Sequence, residues 1–193
     1  MILRRTERDL EANPLTKLPG NVSILNELSK RIEAGSLFAV CYIDINKFKV
    51  YNDKYGFERG DEVIRQTARI LIQARREAGT PENFIGHIGG DDFVIISTPE
   101  VVDKICKRII GEFEKSVPAF YNAADLQKGY VISVDRKGVE QKFPLLSISI
   151  GVVTNETRKI DHVAQVGEIG AELKSYAKSL EKSSYVKDKR KIE

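Results

Sequence analysis

The stretch Ile85-Gly86-His87-Ile88-Gly89-Gly90-Asp91-Asp92-Phe93-Val94-Ile95-Ile96 constrains this chain more than any other. Two short apolar runs flank a Gly-Gly pair, and two carboxylates follow at once. Tight turns that match strand twist need positive φ, which glycine adopts freely. The stretch therefore predicts a β-hairpin with strands near 83–88 and 91–97. Successive strand side chains point to opposite faces. On that alternation Asp91 and Asp92 face opposite ways, and at most one belongs to any one site. A carboxylate at the mouth of a tight hairpin suits a hard cation such as Mg²⁺, which binds through one or two carboxylates plus substrate phosphates. A solvated Gly-Asp turn explains the same residues, and a second acidic strand end is what separates the two readings.

The chain supplies one. Leu37-Phe38-Ala39-Val40-Cys41-Tyr42-Ile43 is apolar almost without a break, as expected of a strand buried on both faces and central in its sheet. It ends in Asp44-Ile45-Asn46. A charge there needs a partner, because an unpaired buried carboxylate is very costly. The other reading of Asp44 is an N-cap for the helix that follows.

Around these two strands the order is helix, strand, helix, hairpin, helix, hairpin, strand, helix. Residues 1–12 read as a charged linker helix, 13–187 as the folded domain and 188–193 as a solvated basic tail. Asn13-Pro14 to Asn21 is a structured loop, and Asn21 is a candidate N-cap for a helix at 22–34 with Ile24, Leu25, Leu28 and Ile32 inward. A short helix spans 47–55. Asp61 would cap a long helix from Glu62 to about Ala78, and another runs over about 100–117. Residues 118–128 read as loop, 129–140 as a peripheral hairpin and 145–153 as a further buried strand. A last helix runs from about Asp161 to Leu180, and Tyr185-Val186 adds a short strand. The pattern is α/β, more closely α+β: a ferredoxin-like palm with a mixed, mostly antiparallel sheet flanked by helices.

Composition excludes several classes. A length of 193 residues fits one domain, and a net charge of +3 is too small to argue for nucleic acid. Cys41 and Cys106 read as buried free thiols, hence a cytoplasmic setting, and no run is long enough to span a membrane. Any membrane contact would be indirect.

With both acidic strand ends placed, the sequence resembles the GGDEF domain family, the diguanylate cyclases, from about residue 11 to 186. Four motifs carry the resemblance in order: Asn13-Pro14-Leu15-Thr16-Lys17-Leu18-Pro19-Gly20-Asn21; Tyr42-Ile43-Asp44-Ile45-Asn46-Lys47-Phe48-Lys49; Asn52-Asp53-Lys54-Tyr55-Gly56 with Gly60-Asp61; and Gly89-Gly90-Asp91-Asp92-Phe93. Ser149-Ile150-Gly151 supports them. The resemblance implies metal ions (Mg²⁺ or Mn²⁺) held by Asp44, the Ile45 carbonyl and Asp91, with Asp91 and Asp92 as catalytic residues. It implies Asn52 and Asp61 at the guanine edge of GTP, and Phe48 and Lys49 at the substrate. On the last helix Lys174, Lys178 and Lys182 stand at i, i+4 and i+8, and either adjacent pair fits the family's phosphate contact. The implied reaction condenses two GTP into cyclic di-GMP with release of pyrophosphate. It needs a homodimer, with an upstream sensory or receiver domain in the full-length protein.

The sequence also departs from the family pattern. The fourth signature position, usually Glu, is Asp92. The opening Asp is Asn13, the Arg two before the first signature Gly is His87, and a neutral Asn13–His87 contact is expected in place of an ion pair. Asn46 replaces the second Asp of the strand end, and Phe57 replaces a His. The last helix reads Ala177-Lys178-Ser179-Leu180-Glu181-Lys182-Ser183, without the family's Gly-Arg-Asn. Thr80-Pro81-Glu82-Asn83 stands where the product-inhibition Arg-x-x-Asp belongs, so no inhibitory site is expected. A working cyclase and a degenerate GTP-binding or regulatory module both follow from this mixture.

Overall fold

The computed structural model describes residues 11–134 and 138–190. The expected linker helix at 1–12 falls almost wholly outside them. The elements are α1 (Asn21–Glu33), β1 (Ala39–Asn46), α2 (Phe48–Tyr55), α3 (Phe57–Ala78), β2 (Phe84–Gly89), β3 (Asp92–Ser97), α4 (Pro99–Phe120), α5 (Ala123–Lys128), β4 (Tyr130–Val134), β5 (Glu140–Pro144), β6 (Ser147–Thr154), α6 (Val163–Ser179) and β7 (Ser184–Lys187). A five-stranded sheet runs β2-β3-β1-β6-β7, and β4-β5 forms a separate two-stranded sheet. Among the described residues only the β6–β7 pairing is parallel. The mixed α/β palm with a peripheral hairpin is thus as expected.

The apolar runs become central strands because helices cover both faces of the sheet. Cys41, Ile43, Phe93, Ile95, Ile148 and Ile150 pack with α3 and α4 in one cluster. Val40, Val94, Ile96 and Val153 pack with α1 and α6 in the other. Strand alternation then puts Asp44, in phase with Val40 and Tyr42, on the α6 side of the sheet. Asp92, in phase with Val94 and Ile96, lies on that side too. The helix α6 comes close enough to reach them because glycines sit at its contacts with β6 and β1. A Cβ on Gly151 would lie 2.6 Å from the Lys174 backbone nitrogen, and one on Gly170 would lie 2.2 Å from the Tyr42 ring.

Several local expectations are corrected. Asn21 is the first residue of α1 rather than its cap, since Gly20 holds the N-cap without a side-chain bond. Leu25 is exposed. Asp61 does not cap α3. Gly56, at φ 86, turns the chain directly from α2 into α3, so the helix starts at Phe57. The helix α4 continues through Pro118 to Phe120, because Val117 and Phe120 still pack on the core while Pro118 faces water, where a carbonyl left unbonded can be hydrated. Residues 123–128, read as loop, form α5, capped by the Asn122 side chain accepting from the Asp125 N–H at 2.8 Å. The tail is not simply solvated at its start. Asp188 is buried, its N–H donates to the Val152 carbonyl, and it pairs with Arg158 at 2.8 Å and Arg190 at 2.9 Å. Cys41 and Cys106 are buried free thiols, as expected, with Sγ atoms 3.7 Å apart.

Candidate active site

The two acidic strand ends meet. In the β1–β3 ladder Asp44 stands opposite Asp92, not opposite Asp91. The two-residue turn is Gly90-Asp91, closed by a Gly89–Asp92 pair after a bulge at His87/Gly89. Gly90, at φ 56, supplies the left-handed conformation this turn requires. Asp91 therefore belongs to the turn, and strand alternation does not govern where it points. One oxygen from each of Asp44, Asp91 and Asp92 lies within 4.8 Å of the others. The expectation that Asp91 and Asp92 serve different faces is corrected, and so is the pairing of Asp44 with Asp91 across the strands.

The electrostatics follow from burial. Asp44 is 4% exposed. Burial pushes its carboxyl up to about 6, with Asp91 adding to the shift while Lys178 and Lys174 oppose it. Burial and the neighbouring charge of Asp92 also raise Asp91. The balancing cations come from one face of α6. Lys178 Nζ is 2.7 Å from Asp44 Oδ1, and Lys174 Nζ is 3.5 Å from Asp44 Oδ2 and also donates to Asp92 Oδ1. Burial works against the Lys174 ammonium, but Asp92 and Asp44 outweigh it and hold it above the ordinary lysine range. Of the two lysine pairs left open by the sequence, the structure brings Lys174/Lys178 to the carboxylates. Lys182 is exposed beyond the end of α6 at Ser179, so helical spacing does not apply to it.

A second group gathers where α2 meets α3. A Cβ on Gly60 would sit 1.9 Å from Asn52 Oδ1 and 3.3 Å from the Phe48 ring, so glycine alone admits the Asn52 carboxamide here. Asn52 Oδ1 is buried and has no hydrogen-bond partner among the described residues. Asp61 follows Gly60 and is exposed, as is Phe57 one turn earlier on the same face of α3. Lys49 is exposed in the first turn of α2. Ile45 lies one residue beyond the last β1–β3 pair. Lys47, at φ 64, is the N-cap of α2 and makes no side-chain capping bond, so the first N–H groups of the helix are left for solvent or an anion.

The substituted positions have definite roles. Asn46 spans β1 and β6, donating to Ser147 Oγ at 2.8 Å and accepting from Ser149 Oγ at 2.9 Å. His87 is buried, stacks on Phe93 with centroids 4.2 Å apart, and makes both ring contacts elsewhere than at Asn13. Its Nε2 lies 2.9 Å from the Gly90 carbonyl, which can only accept, so Nε2 carries the proton and Nδ1 accepts from the Thr16 hydroxyl at 2.9 Å. Burial holds the ring below its ordinary pKa, consistent with that neutral tautomer. Asn13 Oδ1 accepts from the Leu15 and Thr16 N–H groups. The expected Asn13–His87 contact is thus replaced by a link through Thr16. Sequence reading missed Thr16 because its partner is 71 residues away and a lone Thr in a loop carries no local signal. At the position of the family's inhibitory motif, buried Asn83 accepts from the Thr80 N–H at 2.7 Å and so closes its own turn.

Residues 11–175 match the family described as "Diguanylate cyclase, GGDEF domain". The chain belongs to the GGDEF domain family. Among proteins similar to this GGDEF domain, the signaling protein YkoW of Bacillus subtilis (strain 168) is 32% identical over 111 residues, which are 52% of this chain and 13% of YkoW. Diguanylate cyclase DosC of Escherichia coli (strain K12) is 27% identical over 103 residues, 52% of this chain and 22% of DosC. The matches thus take in about a fifth or less of these longer relatives. The coiled coil and GGDEF domain of DgcB from Caulobacter crescentus, solved in complex with c-di-GMP, superposes with a TM-score of 0.68 at 19% identity, over 97% of this chain and 90% of that one. At that identity the likeness establishes the fold. No helix among the described residues is long and apolar enough to cross a membrane.

Proposed function

We propose that this GGDEF domain is a diguanylate cyclase, condensing two GTP into cyclic di-GMP with release of two pyrophosphates at an interface between two copies of the chain. The observation that carries this reading is the convergence of Asp44, Asp91 and Asp92 within 4.8 Å beneath Lys174 and Lys178. The donor set fits Mg²⁺ or Mn²⁺. Three carboxylates are hard oxygen ligands, and burial leaves Asp44 and Asp91 with charge that a cation would relieve. Asp44, Asp91, Asp92 and the Ile45 carbonyl would hold the ion. Bound there, it supplies charge neutralisation at the reacting phosphate and its leaving group.

The other residues bind and orient. Asp61 accepts from the N1 and N2 hydrogens of guanine, and adenine, with an acceptor at N1, is rejected. Asn52 brings an unpartnered buried oxygen to the same edge. Phe48 and Lys49 open α2, whose free N–H groups face the phosphates, and Lys174 and Lys178 add positive charge from α6. One domain carries one GTP, so each 3′-hydroxyl must attack the α-phosphate held by the partner copy. Residues 1–12 would then lead in from an upstream sensory or receiver domain, with 13–187 as the catalytic unit.

A second reading is a degenerate GGDEF domain that binds GTP and transmits a signal. It is favoured by Asp92, shorter than the usual Glu and engaged by Lys174. One experiment separates the two: incubate the protein, at high concentration or fused to a dimerising helix, with GTP and Mg²⁺. Cyclic di-GMP is expected. GTP binding without product would establish the module instead.

A further inference from the structure

Lys178, which pairs with Asp44, also lines a cavity of about 230 Å³ bounded by Asn46, Lys47, Pro144, Ser147, Lys178 and Glu181. Its walls favour an anion. Lys178 and Lys47 line it, and α2 begins there with its first N–H groups uncapped by any side chain. Among the lining residues Glu181 is the single acid, and it faces that positive wall. Its carboxylate is 4.0 Å from Lys47 Nζ.

Both partners hold left-handed backbone conformations, Lys47 at φ 64 and Glu181 at φ 52, which residues with a Cβ adopt at a steric cost. Stability does not account for the pair. The Glu181 side chain is 71% exposed, and an exposed ion pair at this separation contributes little. A strained acid held against a cationic cavity is instead placed to act on what enters it.

We propose that Glu181 is an electrostatic gate on the triphosphate site. Its carboxylate takes the place of a phosphate oxygen at Lys47 and repels polyphosphate, so the site fills only at higher nucleotide concentration. The gate rests on the GTP-binding reading above, and tripolyphosphate, which carries no base, tests it separately.

The test is calorimetric titration of wild type, Glu181→Gln and Glu181→Gly. The ligands are sodium tripolyphosphate without metal, and GTP with Ca²⁺ in place of Mg²⁺. Glu181→Gln removes the charge and keeps the shape. It should bind both ligands about three- to tenfold more tightly at low ionic strength, with the gap closing as salt screens the charge. Glu181→Gly should show the same gain and a higher melting temperature, because the left-handed strain is gone. Equal affinity of wild type and Glu181→Gln for GTP overturns the gate and leaves the GTP reading intact. A gain for tripolyphosphate with no GTP binding by either protein supports the gate and overturns the GTP reading. No tripolyphosphate binding by any variant overturns the gate, since the cavity is then not an anion site.

Discussion

Asp44 and Asp92 stand opposite each other across β1 and β3 on the same side of the sheet, and Lys174 bridges them from α6. Three elements far apart in sequence are thereby tied by charge at one edge of the sheet.

Replacing that bridge should destabilise the fold. Lys174→Met leaves two carboxylates facing each other, one of them buried. Removing one partner of a buried pair typically costs about 3–5 kcal/mol, and with Lys178 still facing Asp44 the expected loss is about 2 kcal/mol. Urea unfolding at neutral pH measures it. In an Asp44→Asn background the same change should be much milder.

Asp44 itself should trade stability for function. Its folded pKa, about 6, lies above the ordinary value of 3.8. The stability contributed by its protonated form is therefore fully present below 3.8 and lost as the pH rises through about 6. Asp44→Asn should thus be more stable than wild type at pH 7.5, with the difference shrinking as the pH falls below 6. Comparing the two proteins isolates this residue from His87, whose lowered pKa acts in the opposite sense: its stability is present above 6.5 and lost as the pH falls through the lowered value. The same variant should lose Mn²⁺ binding, read by paramagnetic resonance.

Guanine recognition should depend on a missing methyl group. Gly60→Ala would drive a Cβ into Asn52 Oδ1. GTP affinity should fall by about tenfold or more, because a displaced carboxamide no longer meets the base edge. Asp61→Asn should narrow the preference for GTP over ATP while leaving the melting temperature nearly unchanged, since Asp61 is exposed. Retained discrimination in that variant would remove Asp61 from the base edge.

The His87 contacts predict a specific coupling. Thr16→Val and His87→Phe should show a double-mutant interaction of about 1 kcal/mol in urea unfolding, the worth of one hydrogen bond. Asn13→Asp with His87→Arg should be near additive, because among the described residues the two positions connect through Thr16 rather than directly. Strong favourable coupling of that second pair would restore the ion-pair expectation.

The sequence by itself determined the strands and the carboxylates at their ends. An unbroken apolar run ending in Asp44, and a glycine turn followed by two carboxylates, are local patterns whose physics is local: burial on both faces and positive φ. The stripe Val63, Ile64, Ala68, Ile70, Leu71 and Ala74 buried α3 as its spacing required. What the tertiary structure alone decided was register and reach. A turn shifted by one residue, with its bulge at His87, moved Asp91 out of the strand and put Asp92 opposite Asp44. Strand alternation could not have foreseen this, because it holds only inside the ladder. The choice of Lys174 and Lys178 over Lys182 depended on where α6 ends and on its glycine contact with β6. Helical spacing sets which residues share a face, but only packing sets which face meets a partner and where the helix stops.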